Sequence, residues 1–381
     1  MLNNFNSEVS SIDHMVLVLP SLSGGGAERV FVTLANEFKE KVRRVDLIIV
    51  TSCELRYVDE IDSAVNVIYL KKNRTLQGVR PLIRYFRTEK PKVVLCAIGH
   101  CVLVTYISLL LSLRRKRTKI FVRVTQSLAA DKRTMFGQKF TFLYFAKKLV
   151  YRNVNGVVCL TSEMANTIQQ KYKLGKRVEI IANPVLTKKL ISDSYQCMEK
   201  PLPWHDNAYS SLVLSVGRLT YQKDYPTLLH AFSVVRKDHN IKLVILGEGE
   251  KRDELETLAN ELGIIDHIWL PGFVSNPFPY FRKASVFVLS SKWEGLPNVL
   301  IQAMACGSPV IASDCPTGPS DILKGGRYGK LVPVGDVGAF ANAIQEIVSR
   351  NRLNSRASAA PHLDRYNAEL IANRYLEYVK G

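Results

Sequence analysis

The stretch SSKWEGLPNVLIQAMACGSPVIASD, residues 290–314, decides how the chain is read. It opens on the end of an apolar strand, SVFVLSS (residues 285–291), and turns through Glu294 and Gly295. Pro297 suits the first helical position, where a missing N–H costs nothing. NVLIQAMAC then has the length and apolarity of a buried helix, and Gly307 suits its C-terminal stop. PVIASD (residues 309–314) reads as the next strand. A strand, a short turn, a helix and a strand make a βαβ unit, whose strands run parallel. The N–H groups between Leu296 and Val299 would face an anion with the helix dipole behind them. Glu294 is the best-placed carboxylate beside them, with a plain surface turn as its ordinary reading. Gln302 lies far enough along the helix to meet a ribose hydroxyl.

Upstream, SVGRLTYQKDY (residues 215–225) ends a strand at Gly217 and places Arg218 and Lys223 five residues apart in the following loop. Two cations at a strand's carboxyl end grip a diphosphate, Arg as a fork and Lys as a point charge. Around these two motifs the βαβ rhythm runs on. SLVLSVG, KLVILGEG, IWLPGF, SVFVLSS and PVIASD are strands, and PTLLHAFSVVRKD, KRDELETLANELGI, FPYFRKA and Gly335–Ser349 are helices.

The first half repeats the scheme. HMVLVLP, VDLIIV, VNVIYL, KVVLCAI, KIFVRVT, GVVCLT and VEIIANPV read as strands, and a helix is expected from Ala27 to about Glu40. Between the first strand and that helix lies SGGGAER (residues 23–29), whose glycines permit a tight turn and close backbone approach to a ligand. It matches neither G-x-G-x-x-G nor a Walker A sequence. Residues 191–210, with two prolines and no clean period, read as a linker. The sequence therefore predicts an α/β chain of two doubly wound parallel-sheet domains, 1–190 and 191–363, facing across a cleft. A last segment, 364–381, is expected to pack back on the first domain. Open α/β sheets bind ligands at the carboxyl ends of their strands.

Charge separates the halves. The chain has 381 residues and a net charge of +18. Residues 1–190 carry 32 Lys+Arg against 14 Asp+Glu, and the remainder carries 20 of each. Between Ala64 and Ala130 the only acid is Glu89. Such a field attracts phosphate-rich partners, such as anionic lipid, lipid diphosphates or nucleic acid. The basic and aromatic stretch MFGQKFTFLYFAKKLVYRN (residues 135–153) suits a membrane interface at helical spacing. The run Val93–Leu113 has no charged residue and is long enough to span a bilayer. Gly99-His100 interrupts it, which favours a buried strand and a buried helix.

The seven cysteines, Cys53, Cys96, Cys101, Cys159, Cys197, Cys306 and Cys315, include no C-x-x-C pair. That points to a reduced cytoplasmic protein without a zinc ribbon. The N-terminal residues lack the features of a signal peptide. No D-x-D motif or metal-ligand histidine spacing is present, so no metal is expected.

Taken together, SLSGGGAERV, VGRLTYQKDYPTLLHAF, LGEG and WEGLPNVLIQAMACGSPVIASD resemble glycosyltransferase family 4 in order and spacing over nearly the whole chain. The resemblance implies a GT-B fold, a retaining mechanism without metal or other cofactor, and a nucleotide sugar in the C-terminal domain. It implies further that Arg218 and Lys223, with Gly217 beside them, hold the diphosphate. Glu294 would bind donor-sugar hydroxyls, with Gly295, Leu296, Pro297, Asn298 and Val299 lining the donor. Gly272 and Phe273 would border the base, and Gly25 and Gly26 would approach the donor across the cleft. Catalytic work would then fall to Glu294, Lys223 and Arg218.

There are two departures from the family pattern. The family's glutamate pair, with seven residues between its members, has Gln302 as its second member here. A histidine found near the donor sugar in many members is replaced, at KIFVRVTQS, by Thr125 and Gln126. His100, Arg123 and Gln126 are the acceptor-side candidates. A UDP-linked donor and a saccharide or polyprenyl-diphosphate-linked acceptor, used at the inner face of the cytoplasmic membrane in surface-polysaccharide assembly, complete the expectation. The competing readings are an epimerase of the same fold, a phosphorylase, and a basic nucleic-acid or lipid-binding protein. No helix-turn-helix, RNP or zinc-finger signature supports nucleic acid as a partner.

Overall fold

The computed structural model describes residues 12–52, 56–97, 99–125, 139–174, 177–205, 209–349 and 361–381. The chain divides into two compact units, residues 1–184 with 366–381, and residues 185–365.

In the first unit β1 (His14–Leu19), α1 (Gly26–Phe38), β2 (Arg44–Thr51), β3 (Asn66–Lys72), α2 (Val79–Glu89), β4 (Val93–Ala97), α3 (Gly99–Leu111), β5 (Lys119–Arg123), α4 (Lys139–Asn153), β6 (Gly156–Cys159), α5 (Ser162–Tyr172) and β7 (Val178–Ile180) follow one another. The seven strands are ordered β3-β2-β1-β4-β5-β6-β7, and all their pairings are parallel. The central strands are buried on both faces, so they read as unbroken apolar runs, without alternation. Val93–Leu113 resolves into β4 and α3, both largely buried. No described helix is long and apolar enough to cross a membrane.

The second unit runs α6 (Lys188–Asp193), β8 (Ser211–Val216), α7 (Tyr225–Arg236), β9 (Ile241–Leu246), α8 (Arg252–Glu261), β10 (Ile268–Gly272), α9 (Phe278–Lys283), β11 (Val286–Leu289), α10 (Asn298–Ala305), β12 (Val310–Ser313), α11 (Pro319–Leu323), β13 (Lys330–Val332) and α12 (Val337–Ser349). Its sheet order is β10-β9-β8-β11-β12-β13, again with all pairings parallel. Pro271 sits in β10, an edge strand, where its missing N–H breaks no ladder. The three-residue β13 and the five-residue α11 have no clear signal in the sequence.

Residues read as a linker are bound to the second unit. Lys200 Nζ donates to the Pro271 carbonyl at 2.7 Å, and Asn276 Nδ2 donates to the Asp193 carbonyl at 3.0 Å. The division accordingly falls after Pro184, ahead of the boundary read at residue 190.

The closing helix α13 (Ala368–Lys380) belongs to the first unit. Tyr375 meets Phe38 of α1 edge-on at 6.3 Å, and the Tyr378 hydroxyl donates to the Arg177 carbonyl at 2.7 Å. Its buried face, Ile371, Ala372, Tyr375 and Leu376, completes the core beneath α1 and β1. Lys119 Nζ reaches the Lys380 carbonyl at 2.9 Å, placing a cation at the negative end of the helix.

Candidate active site

The site is built where two strands of the second unit end side by side. After β8 the chain passes through Gly217 and Arg218, anchors on the fully buried Leu219, and makes a single turn of 3-10 helix at Tyr221–Lys223. Asp224 then takes the left-handed conformation, with φ of 50°. That cost is offset locally, because Thr227 Oγ1 donates to its carboxylate at 2.9 Å and Lys292 pairs with it at 3.1 Å. The turn aims Lys223 at the neighbouring strand end. Gly247 (φ 141°) is required beside it, since a Cβ there would run into the Gly217 carbonyl oxygen.

After β11, Ser290 and Ser291 lead into the turn that carries Glu294. Lys223 Nζ lies 2.7 Å from Glu294 Oε1, and Ser291 Oγ donates to the same oxygen at 2.6 Å. Thr317 Oγ1 donates to the Glu294 carbonyl, and Ser290 Oγ to the Lys223 carbonyl at 2.8 Å. Gln222 Nε2 donates to the Trp293 carbonyl at 2.8 Å. Glu294 is only 7% exposed, so its paired and hydrogen-bonded state is what makes its burial tolerable. Among the described residues both of these contacts fall on one carboxylate oxygen, Oε1.

Gly295, Leu296 and Pro297 lead into α10. Pro297 is the residue before the helix, not its first residue, with ψ of 97°. Asn298 and Val299 therefore form the first turn of α10, the end at which the helix dipole is positive. Gln302, one turn on, is buried at 7% exposure. Thus Lys223, Glu294 and the start of α10 come together within one unit. Arg218 is exposed beside them, and Phe273 is partly buried after β10. Gly272 is buried with φ of 89°, and a Cβ there would press on the Glu248 carboxylate. A cavity of about 140 Å³ behind the loop is lined by Tyr221, Asp224, Lys251, Glu254 and Lys292, and by neither Lys223 nor Glu294. Burial pushes the nearby Cys315 thiol up to about 12, so it stays a protonated core group.

In the first unit the glycine loop is closed by a residue the sequence reading passed over. Glu28 accepts from the N–H groups of Gly24 at 2.8 Å and Gly25 at 2.9 Å, and from Ser21 Oγ at 2.6 Å. Tyr57 donates to the Gly24 carbonyl at 2.9 Å. Gly25 is the residue before α1 and Gly26 is its first residue. The signal was present as an N-terminal position followed three residues later by Glu. His100 is exposed at the start of α3. Arg123 is 2% exposed at the end of β5, where it donates to Asn183 Oδ1, and burial lowers its pKa. It therefore does not present its guanidinium at the surface as an acceptor group would. Gln126 lies outside the described residues.

Comparison with known proteins places a family on each unit. Residues 24–189 match the model of Glycosyltransferase Family 4, and residues 205–361 match that of Glycosyl transferases group 1. The chain belongs to the GT-B glycosyltransferases. It is 28% identical over 370 residues, 95% of this chain and 97% of the relative, to the amylovoran biosynthesis glycosyltransferase AmsD of Erwinia amylovora. It is 32% identical over 171 residues, 44% of this chain and 46% of the relative, to the N-acetylgalactosamine-N,N'-diacetylbacillosaminyl-diphospho-undecaprenol 4-alpha-N-acetylgalactosaminyltransferase of Campylobacter jejuni. Of two other curated relatives it spans 45% and 64% of the length. Among solved structures it is similar to Anabaena HepE in complex with UDP and glucose, with a TM-score of 0.76 at 16% identity, covering 97% of this chain and 100% of that one.

Proposed function

We propose that this glycosyltransferase moves a hexose or N-acetylhexosamine from a UDP-linked donor to a saccharide on a polyprenyl diphosphate, with retention at the anomeric carbon. The observation that carries the reading is the Lys223–Glu294 pair at 2.7 Å beside the start of α10. As the bond between the anomeric carbon and the diphosphate oxygen breaks, negative charge grows on the phosphates and positive charge on the sugar ring. Lys223, Arg218 and the first N–H groups of α10 are the groups suited to the phosphates. Glu294, held at Oε1, would take a sugar hydroxyl at Oε2 and orient the ring. A carboxylate already bound by a lysine and a serine is a poor nucleophile, which favours direct attack. The acceptor hydroxyl approaches on the leaving-group side and bonds to the anomeric carbon as the diphosphate departs with the bonding pair. A phosphate oxygen takes the hydroxyl proton. Gln302 would bond a ribose hydroxyl, and Gly272 and Phe273 would border the base. No metal is needed in this scheme.

The UDP reading draws support from the HepE likeness, and the lipid-linked acceptor from the Campylobacter relative. The setting is surface-polysaccharide assembly on the inner face of the cytoplasmic membrane. The test is a thermal-shift and donor-hydrolysis panel of UDP- and GDP-sugars on the wild type, Lys223→Ala and Glu294→Ala. One donor should stabilise the wild type and be slowly hydrolysed, and each substitution should slow the hydrolysis about 10²–10³-fold. The reading fails if no nucleotide sugar shifts the melting curve.

A further inference from the structure

Two ion pairs join the loop after β8 to the loop after β11, and the reaction proposed above uses one of them. The inner pair is Lys223 with Glu294 at 2.7 Å, and the outer pair is Lys292 with Asp224 at 3.1 Å. Their polarity is crossed. The β8 loop supplies the inner cation and, from the next residue, the outer acid. The β11 loop supplies the inner acid and the outer cation. Polar contacts run between the same two loops. The Lys292 N–H donates to the Gln222 carbonyl at 2.8 Å, Gln222 Nε2 to the Trp293 carbonyl at 2.8 Å, and Ser290 Oγ to the Lys223 carbonyl at 2.8 Å. Any shift of Asp224 against Lys292 therefore moves Lys223 against Glu294.

The outer pair is held by charge and hydrogen bonding more than by packing. Asp224 is 5% exposed and has φ of 50°. Glycine meets that backbone without steric cost. The aspartate brings instead a carboxylate with both oxygens engaged, Oδ2 by Thr227 Oγ1 at 2.9 Å and Oδ1 by Lys292. Lys292 Nζ also lies 3.9 Å from the centroid of the Tyr221 ring, whose face attracts the ammonium. The cavity of about 140 Å³ opens directly against Tyr221, Asp224 and Lys292. On that side no close-packed wall holds the turn, so its position depends on the ion pair.

We infer that Asp224 and Lys292 are positioning residues for the transfer reaction, keeping the two loops in register while Lys223 turns from Glu294 to the diphosphate of the donor. The inference rests on the glycosyl-transfer reading above. In the free protein the inner pair ties the loops together. A bound diphosphate competes for Lys223 and weakens that tie. It does so at the step where the placement of Lys223 counts most, because charge on the phosphates grows as the bond to the sugar breaks. The outer pair does not have to give up a partner to the phosphates, so it remains as the tie. A misplacement of 1 Å in such a group costs about 10²-fold in rate, and partial slack in the loop should cost about tenfold.

The test measures donor hydrolysis by the full chain over a range of UDP- and GDP-sugar concentrations, with melting temperatures on the same samples. Lys292→Met keeps the stem over Tyr221 and removes the charge. Asp224→Asn keeps an acceptor for Thr227 and a residue type that tolerates left-handed backbone. Each should lower kcat about tenfold and leave KM within about twofold of wild type. Lys292→Arg, which keeps the charge, should retain most of the turnover. The double substitution should be no slower than the slower single, since both remove one interaction. A pair that only stabilises the fold would lower the melting temperature and leave kcat per folded molecule unchanged, and that result overturns the proposal. So does a loss confined to KM, or a Lys292→Arg variant as slow as Lys292→Met. Normal turnover in both charge-removing variants, beside a slowed Lys223→Ala, overturns the proposal alone. A wild type that hydrolyses no nucleotide sugar overturns the glycosyl-transfer reading and the proposal with it.

Discussion

The first strand-to-helix loop of each unit occupies the same place in the same topology, yet the two are finished in opposite ways. In the first unit the loop is Ser21–Gly25, and its N–H groups already hold a carboxylate, Glu28. In the second the loop presents cations, Arg218 and Lys223, and the carboxylate Glu294 comes from the end of the adjacent strand, β11. One loop is satisfied from within its own helix. The other is satisfied by a pair that a bound diphosphate would compete for. A fold shared by both units therefore does not decide function, and the loop chemistry does.

The largest effect sought from breaking this contrast lies in the first unit, away from either loop. Asp46 is fully buried and accepts from His14, Arg44, Tyr85 and Asn66. Burial alone would raise its pKa, but these donors outweigh it and hold the carboxyl well below the usual range. Asp46→Ala should cost about 3–5 kcal/mol in urea unfolding, because it strands buried partners. A depressed folded pKa stabilises above the unfolded value, about 4, and that stabilisation is lost as pH falls toward the folded value. The gap between wild type and Asp46→Asn should therefore shrink when unfolding is repeated at successively lower pH below about 4. A constant gap would show that the charge of Asp46 contributes nothing.

Next in size are Lys223→Ala and Glu294→Ala, each expected to slow donor turnover about 10²–10³-fold. Because the two side chains touch, the double substitution should cost less than the sum of the singles. Additive losses would mean that the pair at 2.7 Å does not act as a unit.

How much of this was legible beforehand follows from the range of each signal. Parallel strands buried on both faces write themselves as apolar runs, so both sheets could be read along the chain. Lys223 and Glu294 stood out because each sits in a short loop after such a run. Their meeting was not legible, since it depends on β8 lying beside β11, a pairing of strands far apart in sequence. Ser291, Thr317 and Gln222, which fix the pair, have side chains too common in loops to stand out. Arg123 is the complementary case: it stood out as a cation at a strand end, and its burial against Asn183 was not legible beforehand.

Glu28 gives a smaller, cleaner break. Glu28→Ala frees the N–H groups of Gly24 and Gly25 and removes an end-cap of α1, which should cost about 1–2 kcal/mol. Calorimetry should show that loss as a fall of roughly 2–8 °C in the first unit's transition. Donor-induced stabilisation should be retained, since that assignment rests on the second unit. Loss of donor binding in this variant would instead put the glycine loop in contact with the donor.

Gln302 carries the smallest expected change in ligand binding and sharpens the comparison most. In the resemblance its place belongs to a carboxylate, and here a neutral amide is buried at 7% exposure. If it bonds a ribose hydroxyl, Gln302→Glu turns a neutral hydrogen bond into a charge-assisted one, about twice as strong. A gain near 1 kcal/mol is roughly a fivefold fall in the dissociation constant for the nucleotide, measurable by titration calorimetry. The free protein should lose about 1–3 kcal/mol, because the new carboxylate is buried without a partner until nucleotide arrives. Tighter nucleotide binding in a less stable protein is a signature that a residue remote from the ligand does not produce. An unchanged affinity with the same loss of stability would make Gln302 a packing residue of α10, and the nucleotide would then be held by Lys223, Arg218 and the helix start without it.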